Sequence, residues 1–111
     1  MQFIQQSKDA ACARLASSLS GYVFGVSQND LYAPTRGVQN VSLARQVAMY
    51  LTHVSFGLSL ARVANAFLRD RSTVAYACHL IEDKRDDPAF DDMLEALESA
   101  ARAAPAPVTD I

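Results

Sequence analysis

Asp70, Arg71, Ser72 and Thr73 set a carboxylate, a guanidinium and two hydroxyls side by side in the chain. Asp70 is positioned to cap a helix beginning at Arg71, its side-chain oxygen accepting from backbone N–H groups that lack a partner inside the helix. After them, Val74, Ala77, Cys78 and Ile81 recur at i, i+3, i+4 and i+7, the spacing of a helix with one buried stripe. The four polar residues are therefore expected at the exposed N-terminal end of an anchored helix. That arrangement suits the reading of base edges in a major groove. Arginine bonds a guanine edge or a phosphate, aspartate accepts from cytosine, and the threonine methyl packs on thymine.

A helix can read bases only if other elements hold it, and the rest of the sequence reads as all-helical. Cys12, Leu15, Ala16, Leu19, Tyr22 and Val23 keep helical spacing, which predicts a first helix from about Ser7 to Phe24, stopped by Gly25. Ser27 is placed to cap a short turn through Asp30 to Tyr32, and Pro34 and Gly37 punctuate a loop ending near Asn40. Asn40 or Ser42 then caps a long helix whose buried face is Ala44, Val47, Ala48, Leu51 and Val54, with Gly57 at its end.

Ser59 is expected to cap a short helix carrying Leu60, Val63, Ala64 and Phe67. Only Leu68 and Arg69 join it to the helix of Arg71, so the two must meet at a sharp angle. A short helix, a tight turn and a second helix with an exposed start form a helix-turn-helix, here over about residues 59–85. Pro88 suits the first turn of a last helix with a Phe90, Met93, Leu94, Leu97 stripe. The domain is expected to span residues 1–102, with a disordered tail over 103–111 that holds Pro105 and Pro107.

The 111 residues support one domain and a modest core. The longest apolar run, Val47 to Leu51, is far too short to cross a bilayer, and Met1 to Lys8 lacks the pattern of an export signal. A cytoplasmic, nucleoid-associated protein with no membrane partner is expected. Cys12 and Cys78 fall on apolar helix faces and read as buried reduced thiols. Neither they nor His53 and His79 have the spacing of metal ligands, and no nucleophile sits in a catalytic setting. No cofactor, no nucleotide and no enzymatic activity are expected.

The formal net charge of −2 looks wrong for a nucleic-acid binder until it is divided along the chain. Residues 1–35 balance, Lys8 and Arg14 against Asp9 and Asp30. Residues 36–74 carry Arg36, Arg45, Arg62, Arg69 and Arg71 against Asp70 alone, a balance of +4. Residues 75–111 carry Lys84, Arg85 and Arg102 against nine acids, a balance of −6. The middle can meet phosphates while the acids point elsewhere.

Three blocks carry a family resemblance. Phe24-Gly25-Val26-Ser27-Gln28-Asn29-Asp30-Leu31, Ala44-Arg45-Gln46-Val47-Ala48-Met49-Tyr50-Leu51 and Arg69-Asp70-Arg71-Ser72-Thr73-Val74 occur in that order. The region from about Leu15 to Leu97 resembles the C-terminal DNA-binding domain of the DnaA family of bacterial replication initiators. The resemblance implies an all-α bundle containing a helix-turn-helix, DnaA domain IV-like in a Trp repressor-like arrangement. It also implies base contacts by Asp70, Arg71, Ser72 and Thr73, and backbone or minor-groove contacts by Arg36, Arg45, Gln46, His53 and Arg69. Arg71 stands in place of the family's histidine, His53 in place of a lysine, and Leu68 in place of a glycine, which implies a turn set differently. No GxxxxGKS/T phosphate loop of the family's ATPase module is present.

Together these features point to a sequence-specific binder of double-stranded DNA, acting on transcription or on replication. The Phe90 to Leu97 stripe is most simply core, and otherwise the seam of a homodimer. The rival reading is a protein-interaction adaptor that keeps the fold without DNA binding, favoured by the acidic balance, the single arginine left in the basic loop and the exchanged histidine at Arg71.

Overall fold

A computed structural model describes residues 2–34 and 38–108. Among them are six helices and no strand. The axis of the fold is α3 (Gln39–Val54), in which every residue from Ala44 to Thr52 except Gln46 is buried. A helix covered on nearly all sides must be central, and its neighbours follow from that. Packed against it are α1 (Gln2–Phe24), α2 (Gln28–Tyr32), α4 (Leu60–Phe67), α5 (Arg71–Lys84) and α6 (Pro88–Ala103).

Two groups of buried side chains flank α3. One joins Ala44, Ala48 and Met49 to Leu31 of α2, Val63 and Phe67 of α4, and Val74 and Ala77 of α5. The other joins Val47, Tyr50 and Leu51 to Ala16 of α1, Ile81 of α5, and Leu94 and Leu97 of α6. Both groups reach α5, so its buried stripe is fastened along its length while its start stays outside. Phe67 is fully buried and stacked on Tyr32, ring centroids 5.4 Å apart. Truncating such a residue costs about 3–5 kcal/mol.

Local signals set most of the helix ends. Ser27 accepts from Asp30 N at 3.2 Å, Ser59 from Arg62 N at 3.2 Å, and Asp87 from Phe90 N at 3.1 Å, with Pro88 in the first turn of α6. These are side-chain caps of the ordinary kind. At the end of α1, Gly25 adopts φ 66° and lets Val26 N return to the carbonyl of Gly21 at 2.9 Å. A Cβ on Gly21 would lie 2.5 Å from the Val26 carbonyl oxygen, so the two backbones can approach only over glycine.

Four expectations need correction. The first helix starts at Gln2 rather than near Ser7. Neither Asn40 nor Ser42 caps α3; the cap position is Val38, whose side chain makes no cap bond, and both polar residues lie inside the helix. Val54 is 48% exposed and lies outside the buried face. Leu68 does not reset the turn: at φ 56° and ψ 47° it takes the left-handed conformation itself. Arg69 N then bonds to the Ala64 carbonyl at 3.0 Å, closing α4 as a glycine would.

Leu94 and Leu97 are buried in the chain's own core, with Phe90 and Met93 packed against it, which favours the simpler reading of that stripe. α6 runs through Ala103, one residue into the expected tail. Pro107 and Val108, however, border a shallow depression with Ser7, Ala10, Ala11 and Arg14 of α1.

Candidate nucleic-acid interface

Asp70, Arg71, Ser72 and Thr73 are all exposed at the start of α5, and their side chains enter no hydrogen bond or ion pair among the described residues. Asp70 has the extended backbone of a cap, φ −69° and ψ 148°, yet its carboxylate makes no cap hydrogen bond. Its expected side-chain role as a cap is therefore not the one the geometry shows. The carboxylate is left facing solvent beside Arg71, with its acceptor capacity unspent.

Beside this quartet lies a concave surface of about 760 Å³, walled by Gln39, Ser42 and Gln46 of α3 and by Ser72, Thr73 and Tyr76 of α5, with Pro34, Arg45 and Arg69 also lining it. No acid lines it. Gln46 is half-buried and lines this surface. Tyr76, 64% exposed, extends the α5 wall one turn beyond Ser72 and Thr73 and was not singled out by the sequence.

Arg45 is placed differently from its expected role. It is only 6% exposed, and its guanidinium donates to the carbonyls of Leu31 at 2.7 Å, Asp30 at 3.0 Å and Ala33 at 3.5 Å. Those carbonyls belong to the last turn of α2, where a helix runs out of N–H partners. Burial, and after it the charge of Arg69, lowers the Arg45 pKa. The residue is a strut between α3 and α2 rather than a free cation awaiting a phosphate.

Arg69 is half-buried and donates to the Ala33 carbonyl at 2.6 Å. His53 is half-buried too, its Nδ1 lying 2.6 Å from the Leu58 carbonyl. A carbonyl only accepts, so Nδ1 carries the proton and the ring is oriented by the α3–α4 loop. Arg36 lies outside the described residues.

Sequence reasoning missed a second cluster, at the far end of α5. Arg85 donates to Asp91 at 2.5 Å, to Glu98 at 2.9 and 3.2 Å, and to the Tyr50 hydroxyl at 3.1 Å. Tyr50 in turn donates to Glu82 at 2.6 Å, and the Arg85 guanidinium sits 5.9 Å from the Tyr50 ring centroid. Burial, then the bond to Glu82, pushes the Tyr50 phenol up to about 12. The bond to Glu98, ahead of those to Asp91 and Tyr50, raises the Arg85 pKa. These contacts tie α3, α5 and α6 together and fix the direction in which α5 projects. A smaller tie, Arg62 to Asp9 at 2.7 and 3.0 Å, fastens α4 to α1.

The comparisons agree with this fold. The family described as bacterial dnaA protein helix-turn-helix matches residues 21–81, which contain α2 to α4 and most of α5. Over 68 residues the chain is 46% identical to chromosomal replication initiator protein DnaA 2 of Chlamydia trachomatis, a match covering 61% of this chain and 15% of that protein. Over 61 residues it is 38% identical to chromosomal replication initiator protein DnaA of Pseudothermotoga lettingae, covering 55% of this chain and 14% of the relative. The chain thus spans about a seventh of the length of these relatives. A solved structure described as the crystal structure of a DNA replication initiation factor superposes with a TM-score of 0.78 at 26% identity, over 88% of this chain and 30% of that one. With the helix-turn-helix, the ordered blocks and more than half of the chain matched, the protein belongs to the bacterial DnaA helix-turn-helix family.

Proposed function

We propose that the chain binds double-stranded DNA and reads its sequence through the helix-turn-helix of α4 and α5. The observation that carries this reading is the start of α5: four adjacent polar side chains, all exposed and none spent on a bond among the described residues. A fixed helix presenting unspent donors and acceptors at its N-terminal end is what major-groove readout needs. Asp70, Arg71, Ser72 and Thr73 contact bases. Gln46 and Arg69 meet the backbone from the other walls of the concave surface, and Arg36 is assigned to the minor groove. Arg45 acts through α2, holding the corner from which this surface is built. His53 serves a phosphate only as the imidazolium, Nε2–H donating to it while Nδ1–H holds the Leu58 carbonyl.

In the cell the protein acts as a regulator, in transcription or by occupying sites that a DnaA initiator uses. Small modules of this kind have limited specific affinity, so paired or adjacent sites are the expected targets. The reading is tested by fluorescence anisotropy on labelled duplexes carrying a DnaA-type box against scrambled duplexes. Preferential binding that weakens with salt supports it; no binding to any duplex at low salt removes it.

One observation favours the adaptor reading. Arg45 and Arg69 both commit guanidinium N–H groups to the Ala33 carbonyl, which leaves fewer of their donors to meet phosphates. An adaptor is insensitive to Thr73→Ala, whereas a DNA reader is not.

A further inference from the structure

Leu68 is the one non-glycine residue with positive φ among the described residues, and at 82% exposure it is nearly bare. These two facts conflict. An L-residue other than Gly, Asn or Asp enters the left-handed region against the steric preference of its Cβ. A buried leucine can offset that strain by packing, but this side chain has almost no surface covered. The turn itself needs only a left-handed residue there, and glycine supplies one without strain. The leucine side chain therefore does nothing for the fold that glycine would not do better. Backbone strain kept without an internal return points to a use outside the molecule.

Its place in the fold says where. Leu68 closes α4 and stands two residues ahead of Asp70, with only Arg69 between them. In a helix-turn-helix the first helix crosses the DNA backbone while the second enters the groove, so the turn between them lies over the groove rim. The atoms presented there by the duplex, apart from phosphate oxygens, are the carbons of the deoxyribose rings. Resting on the DNA-binding reading above, we propose that Leu68 is an apolar DNA contact that packs on the deoxyribose edge of the backbone beside the entry of α5.

The contact is sequence-independent like those of Gln46 and Arg69 with the backbone, but apolar where theirs are polar. Anisotropy titrations of wild type, Leu68→Gly, Leu68→Asn and Leu68→Met on box and scrambled duplexes, over a range of salt, test it alongside thermal melts of each protein. Leu68→Gly raises Tm by a few degrees and yet weakens binding about 3- to 10-fold, equally on both duplexes. The slope of log K against log salt stays at the wild-type value, because no phosphate contact is lost. Leu68→Asn, which tolerates the left-handed conformation, weakens binding to a similar degree, and Leu68→Met keeps the wild-type affinity.

A higher Tm with unchanged affinity for Leu68→Gly overturns the proposal and leaves the side chain to a protein partner. A loss confined to the box duplex also overturns it, since that marks a base contact. Wild type that binds no duplex marks failure of the DNA-binding reading itself, whereas wild type that binds while the glycine variant binds equally well marks failure of this inference alone.

Discussion

Arg45 of α3 and Arg69 of the α4–α5 turn converge on one acceptor, the carbonyl of Ala33, at 3.5 and 2.6 Å. Through it the end of α2 is fastened both to the central helix and to the entry of the helix-turn-helix. Two like charges are held close because each finds a carbonyl dipole, and Arg45 finds two more in Leu31 and Asp30.

Arg45→Ala therefore acts on stability first. It removes a buried, charge-assisted set of bonds and leaves α2 carbonyls without their donors, at a cost of about 2–4 kcal/mol. Urea unfolding measures this directly. Arg45→Lys recovers little, because an ammonium lacks the planar fork that serves several carbonyls at once. Gln46→Ala changes stability by less than about 0.5 kcal/mol while weakening DNA binding.

Caps that look alike in the sequence differ in weight. Ser59→Ala removes the bond to Arg62 N and destabilises the protein by about 1 kcal/mol. Asp70→Asn removes no cap bond, since none is made, and shifts stability by less than about 0.5 kcal/mol through the helix dipole alone. Equal losses for the two substitutions in denaturant titrations contradict the geometry at Asp70.

Arg85 is the keystone of the α3–α5–α6 contacts. Arg85→Ala leaves Glu98, 8% exposed, without its cation and costs about 3 kcal/mol. Glu98→Gln in the same background restores part of the loss, because the uncompensated charge is then gone.

The alkaline limb of stability carries the mark of Tyr50. Its phenol rises from 10 to about 12 on folding, so the native state holds that proton more tightly than the unfolded chain. The resulting stabilisation is complete below pH 10 and is lost as pH rises from 10 to 12. Cys78, raised from 9 to about 11 by burial and then by Glu82, gives a loss of the same sign that begins one unit lower. Tyr50→Phe makes the pH 10–12 part of the curve shallower without abolishing it, since Cys78, Cys12 and Tyr32 are raised as well, and leaves the onset near pH 9. Urea midpoints collected from pH 8 to 12 separate the two.

Much of this architecture was legible in the chain because its signals are local. Ser27, Ser59 and Pro88 mark helix starts within one turn, and the stripe from Val74 to Ile81 fixes the buried side of α5. The start of α3 was not legible, because Val38 caps it without a side-chain bond while better capping residues lie just inside. Arg45 misled for a related reason. Its place on a polar-looking face hides the fact that α3 is covered nearly all round, and its acceptors belong to α2. Arg85 gave no warning at all, since its partners Tyr50 and Glu98 lie far away in sequence. Leucine in place of glycine at position 68 implies a differently set turn, yet the backbone closure of α4 outweighs the leucine's own preference.

The central claim is that the start of α5 reads DNA sequence. Arg71→Ala and Thr73→Ala test it most directly, in anisotropy titrations on a DnaA-type box and a scrambled duplex at several salt concentrations. Thr73→Ala is expected to narrow the affinity difference between the two duplexes by about 1–3 kcal/mol with an unchanged salt slope. Arg71→Ala narrows the difference too, as a base contact must; an equal loss on both duplexes with a salt slope lower by about 1 assigns it to a phosphate instead and contradicts its proposed role. A wild-type protein that binds both duplexes equally, with Thr73→Ala indistinguishable from it, contradicts the account.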